Sequence, residues 1–190
     1  MITKNNTTNN SCIIYLIGKP GTGKYTIAKE LEKFGFIVCD NQLINNPIFT
    51  LLNYDGFSKI PDIGWNAIEQ IRTAVFDFIA IEQQHNYVLT NCLYENEGDL
   101  KCYLQVESMA LKRGSLFIPI KLLISAEVHL RRISEPSRKA RWKSIDPLDV
   151  FQTEPLITIN HPHSFELDVS QLSATQAAEK ILNHIQRLTK

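Results

Sequence analysis

The sequence predicts a three-layer α/β fold, in which a parallel five-stranded sheet has helices on both of its faces. Short apolar runs of strand length alternate along the chain with longer segments whose apolar residues recur at helical spacing. Alternation of this kind is typical of parallel sheets, whose strands are joined by crossing helices. In such folds, ligands bind beyond the carboxyl ends of the strands.

The first strand–helix–strand unit lies close to the N-terminus. The continuous apolar run Cys12–Ile17 ends at a glycine and predicts a strand that is buried on both faces. Apolar residues at helical spacing predict a helix over residues 24–34, which a glycine closes. Residues 36–39 predict the second strand, and Asp40 follows its end. No element is predicted between Asp40 and Pro61.

The rest of the chain continues the alternation. Pro61 and Asp62 open a long helical segment that runs to residue 84. Pro119 lies inside the fourth predicted strand, where a proline is unusual. Ser173 and Gln176 have the spacing of a capping box and open the last helix, which extends to about residue 188. The other predicted elements are strands over residues 87–89, 116–124 and 165–169 and helices over residues 99–113 and 127–133.

Charge and composition limit the classes of function. The chain has 20 Lys and Arg residues and 20 Asp and Glu residues, so we expect neither a nucleic acid nor a membrane as its partner. Its first apolar run is too short for a signal peptide or a membrane span. The four cysteines are widely spaced, which indicates free thiols in a reducing compartment. We therefore expect a cytoplasmic protein, either monomeric or homodimeric.

The chain is predicted to form one domain over residues 12–190, since it contains neither an internal repeat nor a low-complexity linker. Residues 1–11 are polar and rich in Asn and Thr, and they are predicted to be a disordered tail.

A glycine-rich motif, Gly18-x4-Gly23-Lys24, stands between the first strand and the first helix. Glycines let the backbone curl so that its N–H groups point inward, and the helix start adds unpaired N–H groups. Lys24 adds a full positive charge. This motif in this context predicts a phosphate-binding loop for ATP, in a P-loop NTPase fold. The alternative is a glycine-rich turn in an ordinary strand–helix unit.

The residue after the motif lysine is Tyr25, where the general pattern has a Ser or Thr that holds magnesium. The loop instead resembles that of the adenylate kinases, Gly-x-Pro-Gly-x-Gly-Lys-Gly-Thr. The resemblance implies that magnesium keeps mostly water ligands and that Thr26 supplies the hydroxyl near the phosphates, in direct contact with the metal or through a water. The predicted nucleotide-binding residues of the loop are Gly18, Lys19, Pro20, Gly21, Thr22, Gly23, Lys24, Tyr25 and Thr26.

The order of elements also resembles the shikimate and gluconate kinases, and the resemblance covers nearly the whole chain after residue 11. In those families an acidic residue at the end of the second strand holds the acceptor hydroxyl, and Asp40 has that place. A carboxylate there can orient a hydroxyl and take its proton. The alternative is an Asp that only caps the next helix. A second Asp of shikimate kinase is replaced by Val38.

Three further residues are candidates for the acceptor side. Asn91 follows the third predicted strand, where this superfamily usually has a carboxylate or glycines, and it could orient a water of the metal shell. The resemblance to shikimate kinase makes Arg72 a candidate partner for an anionic group of the acceptor, although an exposed helical arginine is the alternative. Trp65 could cover the acceptor, but a core aromatic is the favoured interpretation.

Six basic residues fall within thirteen positions after the fourth strand and its helix. This cluster resembles the mobile lid of small-molecule kinases and is assigned to about residues 131–147. The resemblance implies that Arg132, with Arg131 as the alternative, packs on the adenine. Arg138 and Arg141 would close over the phosphates as catalytic residues, since arginines stabilise the charge of the transferred group. A solvated basic loop is the alternative.

A pair of histidines, His161 and His163, has the spacing of metal ligands, but no third ligand is evident and a polar loop is favoured.

The main functional hypothesis is an ATP- and magnesium-dependent kinase that uses Lys24 and Asp40 on a small metabolite. The second is a nucleotide-binding regulator with little turnover, which Tyr25, Val38 and Asn91 suggest. A kinase of RNA ends or nucleotide sugars is the third, and the neutral charge disfavours it.

Overall fold

The computed structural model describes residues 11–56, 58–134 and 154–189. Within them the chain forms five strands and six helices. The strands are β1 (Cys12–Ile17), β2 (Phe36–Asp40), β3 (Asn86–Asn91), β4 (Leu116–Leu123) and β5 (Phe165–Asp168). The helices are α1 (Lys24–Glu32), α2 (Asn41–Leu51), α3 (Asp62–Ile81), α4 (Glu97–Arg113), α5 (Ala126–Ile133) and α6 (Ala174–Leu188).

The five strands form one parallel sheet in the order β2-β3-β1-β4-β5. Strand β1 lies at its centre, and every one of its residues is buried. Two separate apolar clusters cover the two faces, one packed under α2, α3 and α4 and the other under α1 and α6. The predicted three-layer α/β fold is therefore confirmed. The connections turn to opposite sides of β1, so a crevice forms at the carboxyl ends of β1 and β3.

Helix α2 is the element that the sequence does not predict. Its segment contains three asparagines, which favour caps and turns, and Pro47 in the interior, where a proline removes a backbone hydrogen bond. The helix forms because Ile44 and Phe49 bury their side chains in the core and because Asp40 caps its first turn. Since α2 begins directly after β2, its first turn lies at the carboxyl edge of the sheet.

Pro119 is accommodated in β4, as the sequence predicts, because the strand is only partly interior there. Strand β5 pairs with β4 from Ile120 onward, so Pro119 has a paired neighbour, Tyr15 of β1, on one side.

Among the residues that the structure describes, no helix combines the length and the hydropathy that crossing a bilayer would require.

Candidate functional site

A cavity of about 1010 Å³ opens at the carboxyl ends of β1, β2 and β3. One part of it, here called the loop half, is lined by residues of the glycine-rich loop and the start of α1, by Arg132 and by residues that follow β5. The other part, here called the α2–α3 half, is lined by Asp40, Asn41, Gln42, Asn45, Phe49, Tyr54, Trp65, Arg72 and Asp99. The cavity volume lies at the upper end of the range of about 300–1000 Å³ that single small-molecule pockets measure.

The glycine-rich loop is fixed at its start and curls around its own centre. The N–H of Gly18 donates to the carbonyl of Asn91 at 3.2 Å, which ties the loop to the end of β3. Gly21 and Gly23 both have φ of +90°, a conformation that side chains with a Cβ rarely adopt. Backbone turns of this kind direct successive N–H groups into one concavity, which suits an anion.

Lys24 begins α1 and turns its side chain back over the loop. Its ammonium donates to the carbonyl oxygens of Gly18 at 2.5 Å and Lys19 at 2.9 Å. Thr22 supports the same turn, because its hydroxyl donates to the Lys19 carbonyl at 2.9 Å. The positive charge of Lys24 is therefore held against the loop backbone, where it can stabilise the charge of a bound phosphate.

His129 of α5, which sequence reasoning missed, lies directly beneath the loop. It is 2% exposed, and its Nε2–H donates to the carbonyl of Pro20 at 2.5 Å. Because a carbonyl can only accept, this contact places a proton on Nε2. A Cβ added at Gly21 would lie 3.0 Å from Cδ2 of His129, so the ring also fixes how closely the loop approaches α5.

We expect His129→Ala to weaken Mg·ATP binding about tenfold, because the variant leaves the buried Pro20 carbonyl without its donor and loosens the loop. His129→Gln, whose amide is also an N–H donor, should restore binding to within about threefold of the wild type. Calorimetric titration checks both values, and His184→Ala on α6 is the control. Equal affinity of the Ala variant and the wild type would contradict this role.

Tyr25 and Thr26, the residues that depart from the general loop pattern, both line the cavity from the first turn of α1. Thr26 is exposed there, so its hydroxyl is accessible from the loop half.

Asn91 also lines the cavity, but its amide already has protein partners: Nδ2 donates to the Tyr15 hydroxyl at 3.2 Å, and Oδ1 accepts from the N–H of Cys92 at 2.9 Å. Burial raises the pKa of Tyr15, which keeps that hydroxyl protonated.

Asp40 both caps helix α2 and lines the cavity. Its Oδ1 accepts from the N–H of Leu43 at 3.1 Å, so it caps α2. Asp40 is 6% exposed and lines the cavity at the end of β2. Since a cap uses one carboxylate oxygen, capping does not exclude a role of the second oxygen in the cavity.

Arg72 and Trp65 both project from α3 to the wall of the α2–α3 half. The side chain of Arg72 is only 11% exposed, and its Nη1 forms an ion pair with Glu69 at 2.5 Å, so it is not an exposed helical arginine. Trp65 is 46% exposed, so the prediction of a core aromatic is wrong. Its ring instead packs nearly perpendicular to that of Phe49, with ring centroids 6.3 Å apart.

The loop half ends at Arg132, which is half-buried and donates from Nη2 to the carbonyl of Val169 at 3.1 Å. The neighbouring wall is apolar and contains Leu172, Ala174 and Ala177, which the sequence did not single out. A flat, apolar ring would fit between such a wall and a guanidinium group. Arg131 is exposed and does not line the cavity in this structure.

Arg138 and Arg141, the two predicted catalytic arginines of the lid, lie outside the described residues. The same holds for most of the predicted lid over residues 131–147, of which residues 131–134 belong to α5 and its end.

His161 and His163 form a packed pair beside β4. Their ring centroids are 5.0 Å apart, and the His161 ring also contacts Phe117 at 5.2 Å. Nδ1 of His163 lies 3.1 Å from the Phe117 carbonyl. Burial, followed by the neighbouring histidine, lowers the pKa of His161. These contacts are those of packed loop residues, and neither histidine lines the cavity of the loop.

No protein-family model and no curated protein matches this sequence significantly. Among solved structures, a gluconokinase from Sinorhizobium meliloti 1021 is similar, with a TM-score of 0.61, 16% identity and coverage of 96% of this chain and 95% of that chain. A sugar kinase from Janibacter sp. HTCC2649 has a TM-score of 0.57, with 15% identity and coverage of 93% and 95%. A shikimate kinase from Acinetobacter baumannii, in complex with shikimate, has a TM-score of 0.51, with 18% identity and coverage of 95% and 96%. The chain therefore has the fold of P-loop small-molecule kinases.

Proposed function

We propose that the protein binds ATP with magnesium at the glycine-rich loop and transfers the γ-phosphoryl group to a hydroxyl of a small metabolite. One observation carries this proposal: Lys24 and its loop line the same cavity as Asp40, which is buried. Phosphoryl transfer needs hydrogen-bond donors that hold the phosphates and a base that accepts the proton of the acceptor hydroxyl. This cavity contains both kinds of group.

In this proposal each half of the cavity binds one reactant. The loop N–H groups and Lys24 hold the β- and γ-phosphates, and the adenine packs between Arg132 and the apolar wall after β5. The acceptor lies in the α2–α3 half, where Asp40 and Arg72 contact it, and it also contacts Asn91 at the end of β3. Arg138 and Arg141 close over the phosphates, as the resemblance to lid-bearing kinases implies.

The transfer step forms one bond and breaks one. The acceptor hydroxyl gives its proton to Asp40 as its oxygen attacks the γ-phosphorus. The bond from the γ-phosphorus to the bridging oxygen breaks, and ADP leaves with that electron pair. The protein contributes mainly position and electrostatics, since the loose transition state carries its charge on the phosphoryl oxygens.

The donor set that lines the cavity fits magnesium. Magnesium binds oxygen, keeps several waters and needs few protein ligands beside the phosphates. The Thr26 hydroxyl lines the cavity at the start of α1, and Asn91 can contact a metal-bound water through its second Oδ1 lone pair. When bound, the ion neutralises phosphate charge.

A second function, a nucleotide-binding regulator with little turnover, shares the first half of this proposal. Its support is the composition of the strand ends: Val38 carries no carboxylate, and the Asn91 amide is already bonded to Tyr15 and to the Cys92 N–H. A regulator needs the loop half of the cavity, whereas a kinase needs both halves.

Two measurements on the full chain separate these functions. Calorimetry with Mg·ATP tests nucleotide binding, and ADP release with a panel of hydroxyl compounds tests transfer. A kinase binds ATP and releases ADP faster with at least one acceptor. Binding without acceptor-dependent turnover across the panel would favour the regulator, and absence of ATP binding would contradict both.

A further inference from the structure

The α2–α3 half of the cavity has a composition that selects a class of acceptor. We propose that the acceptor is an uncharged ring compound with several hydroxyl groups, such as a neutral sugar or a nucleoside, and that acceptors carrying a carboxylate or a phosphate are disfavoured. This inference rests on the proposed function, since it concerns the second reactant of the same site.

Amide side chains form the polar part of the α2–α3 half. Asn41, Gln42 and Asn45 occupy the first turns of α2 and line the cavity. Asn45 is only 4% exposed, and neither its Oδ1 nor the buried Oε1 of Gln42 has a hydrogen-bond partner among the described residues. A buried amide oxygen without a donor is costly, and a ligand hydroxyl that reached it would remove that cost. Amides both donate and accept, which suits hydroxyl groups.

An aromatic surface forms the apolar part of the same wall. Trp65 is 46% exposed beside the amides, although a tryptophan normally buries most of its surface. Phe49 packs nearly perpendicular to it, and Tyr54 packs on Phe49 with ring centroids 4.7 Å apart. A supported, exposed aromatic face offers stacking area to the flat side of a sugar ring or a base.

The charged side chains of the α2–α3 half disfavour an anionic ligand. Within the described residues, Arg72 is the one cation that lines the α2–α3 half, and its Nη1 is paired with Glu69 at 2.5 Å. The carboxylates of Asp40 and Asp99 line the same half. The charge of Arg72 is thus already compensated, so a bound anion would face two carboxylates without a free counter-charge. Arg72 serves the acceptor as a hydrogen-bond donor through its remaining N–H groups.

The test compares acceptors that differ in charge. D-glucose is compared with D-gluconate, and uridine with its 5′-monophosphate, by ADP release and by binding in the presence of a saturating non-hydrolysable ATP analogue. Binding is followed by the fluorescence of Trp65 in the Trp142→Phe variant, which leaves Trp65 as the single tryptophan. We expect at least one neutral compound to bind at least about tenfold more tightly than its acidic partner.

The variant Glu69→Gln tests the physical cause. It removes the counter-charge of Arg72, so the preference for the neutral partner should shrink about tenfold while Mg·ATP affinity stays unchanged. Glu179→Gln, at an exposed site on α6, is the matched control.

The possible results distinguish a wrong acceptor class from a wrong proposed function. Equal or tighter binding of the acidic partners, or an unchanged preference in Glu69→Gln, would overturn the inference. Tight ATP binding without binding of any neutral compound would also overturn it and would leave the proposed function standing. Loss of ATP binding in the wild type would instead remove the proposed function.

Discussion

Replacing Lys24 with alanine is expected to lower the affinity for Mg·ATP at least about a hundredfold and to abolish detectable transfer. The ammonium is the one full charge that the start of α1 holds over the loop, where it already contacts the carbonyls of Gly18 and Lys19. Its loss removes a charge-assisted hydrogen bond to phosphate, which the loop N–H groups cannot replace. Calorimetric titration of wild type and variant checks this result.

The control for this experiment is Lys29→Ala on the same helix. Lys29 forms an ion pair with Glu32 and does not line the cavity. Its replacement should change ATP affinity less than about twofold, since partly exposed ion pairs contribute little. Thermal unfolding of both variants separates a binding defect from a folding defect. Wild-type affinity of the folded Lys24→Ala variant would show that the loop does not bind the nucleotide.

Replacing Asp40 with asparagine is expected to slow transfer by about a hundred- to ten-thousandfold and to leave Mg·ATP affinity nearly unchanged. Asparagine is as good an N-cap as aspartate, so the variant keeps the contact to the Leu43 N–H and the start of α2. It lacks the basic oxygen that takes the proton of the acceptor. Steady-state rates of ADP release and thermal unfolding measure the two effects separately.

Asp40→Ala distinguishes a base from a cap. It loses both functions, so it should slow transfer like the Asn variant and also destabilise the fold by about 1 kcal/mol. If Asp40→Asn turned over at the wild-type rate and only Asp40→Ala were impaired, the carboxylate would serve as a cap alone. The proton acceptor would then have to be another group of the cavity.

The sequence predicted the parts of the site that depend on local chain geometry. The run from β1 through the glycine-rich loop to Lys24 is continuous, so its spacing alone defines the turn and the helix start. The end of β2 at Asp40 was predictable for the same reason, since the apolar run stops there.

The parts that the sequence did not predict depend on contacts between distant segments. His129 meets the Pro20 carbonyl from 109 positions along the chain, and an isolated histidine on a short helix gives no signal of that contact. Helix α2 forms against its asparagines and Pro47 because tertiary burial outweighs local propensity.

Trp65 shows a different limit of sequence reasoning. Its hydrophobicity favours the core, but its position on α3 places it at the rim of a cavity. Composition cannot distinguish a core from the wall of a binding site, because both use large apolar side chains. The pairing of Arg72 with Glu69 was visible as an i, i+3 spacing, and its meaning appears only beside the other charges of the wall.

The most direct test of the account is a crystal structure of the full chain with magnesium and a non-hydrolysable ATP analogue. We expect the β- and γ-phosphates within about 3.2 Å of the Lys24 ammonium and the loop N–H groups, with the adenine beside Arg132. We also expect the γ-phosphate to face Asp40 across the cavity. A nucleotide bound outside the loop half, or a γ-phosphate directed away from Asp40, would contradict it.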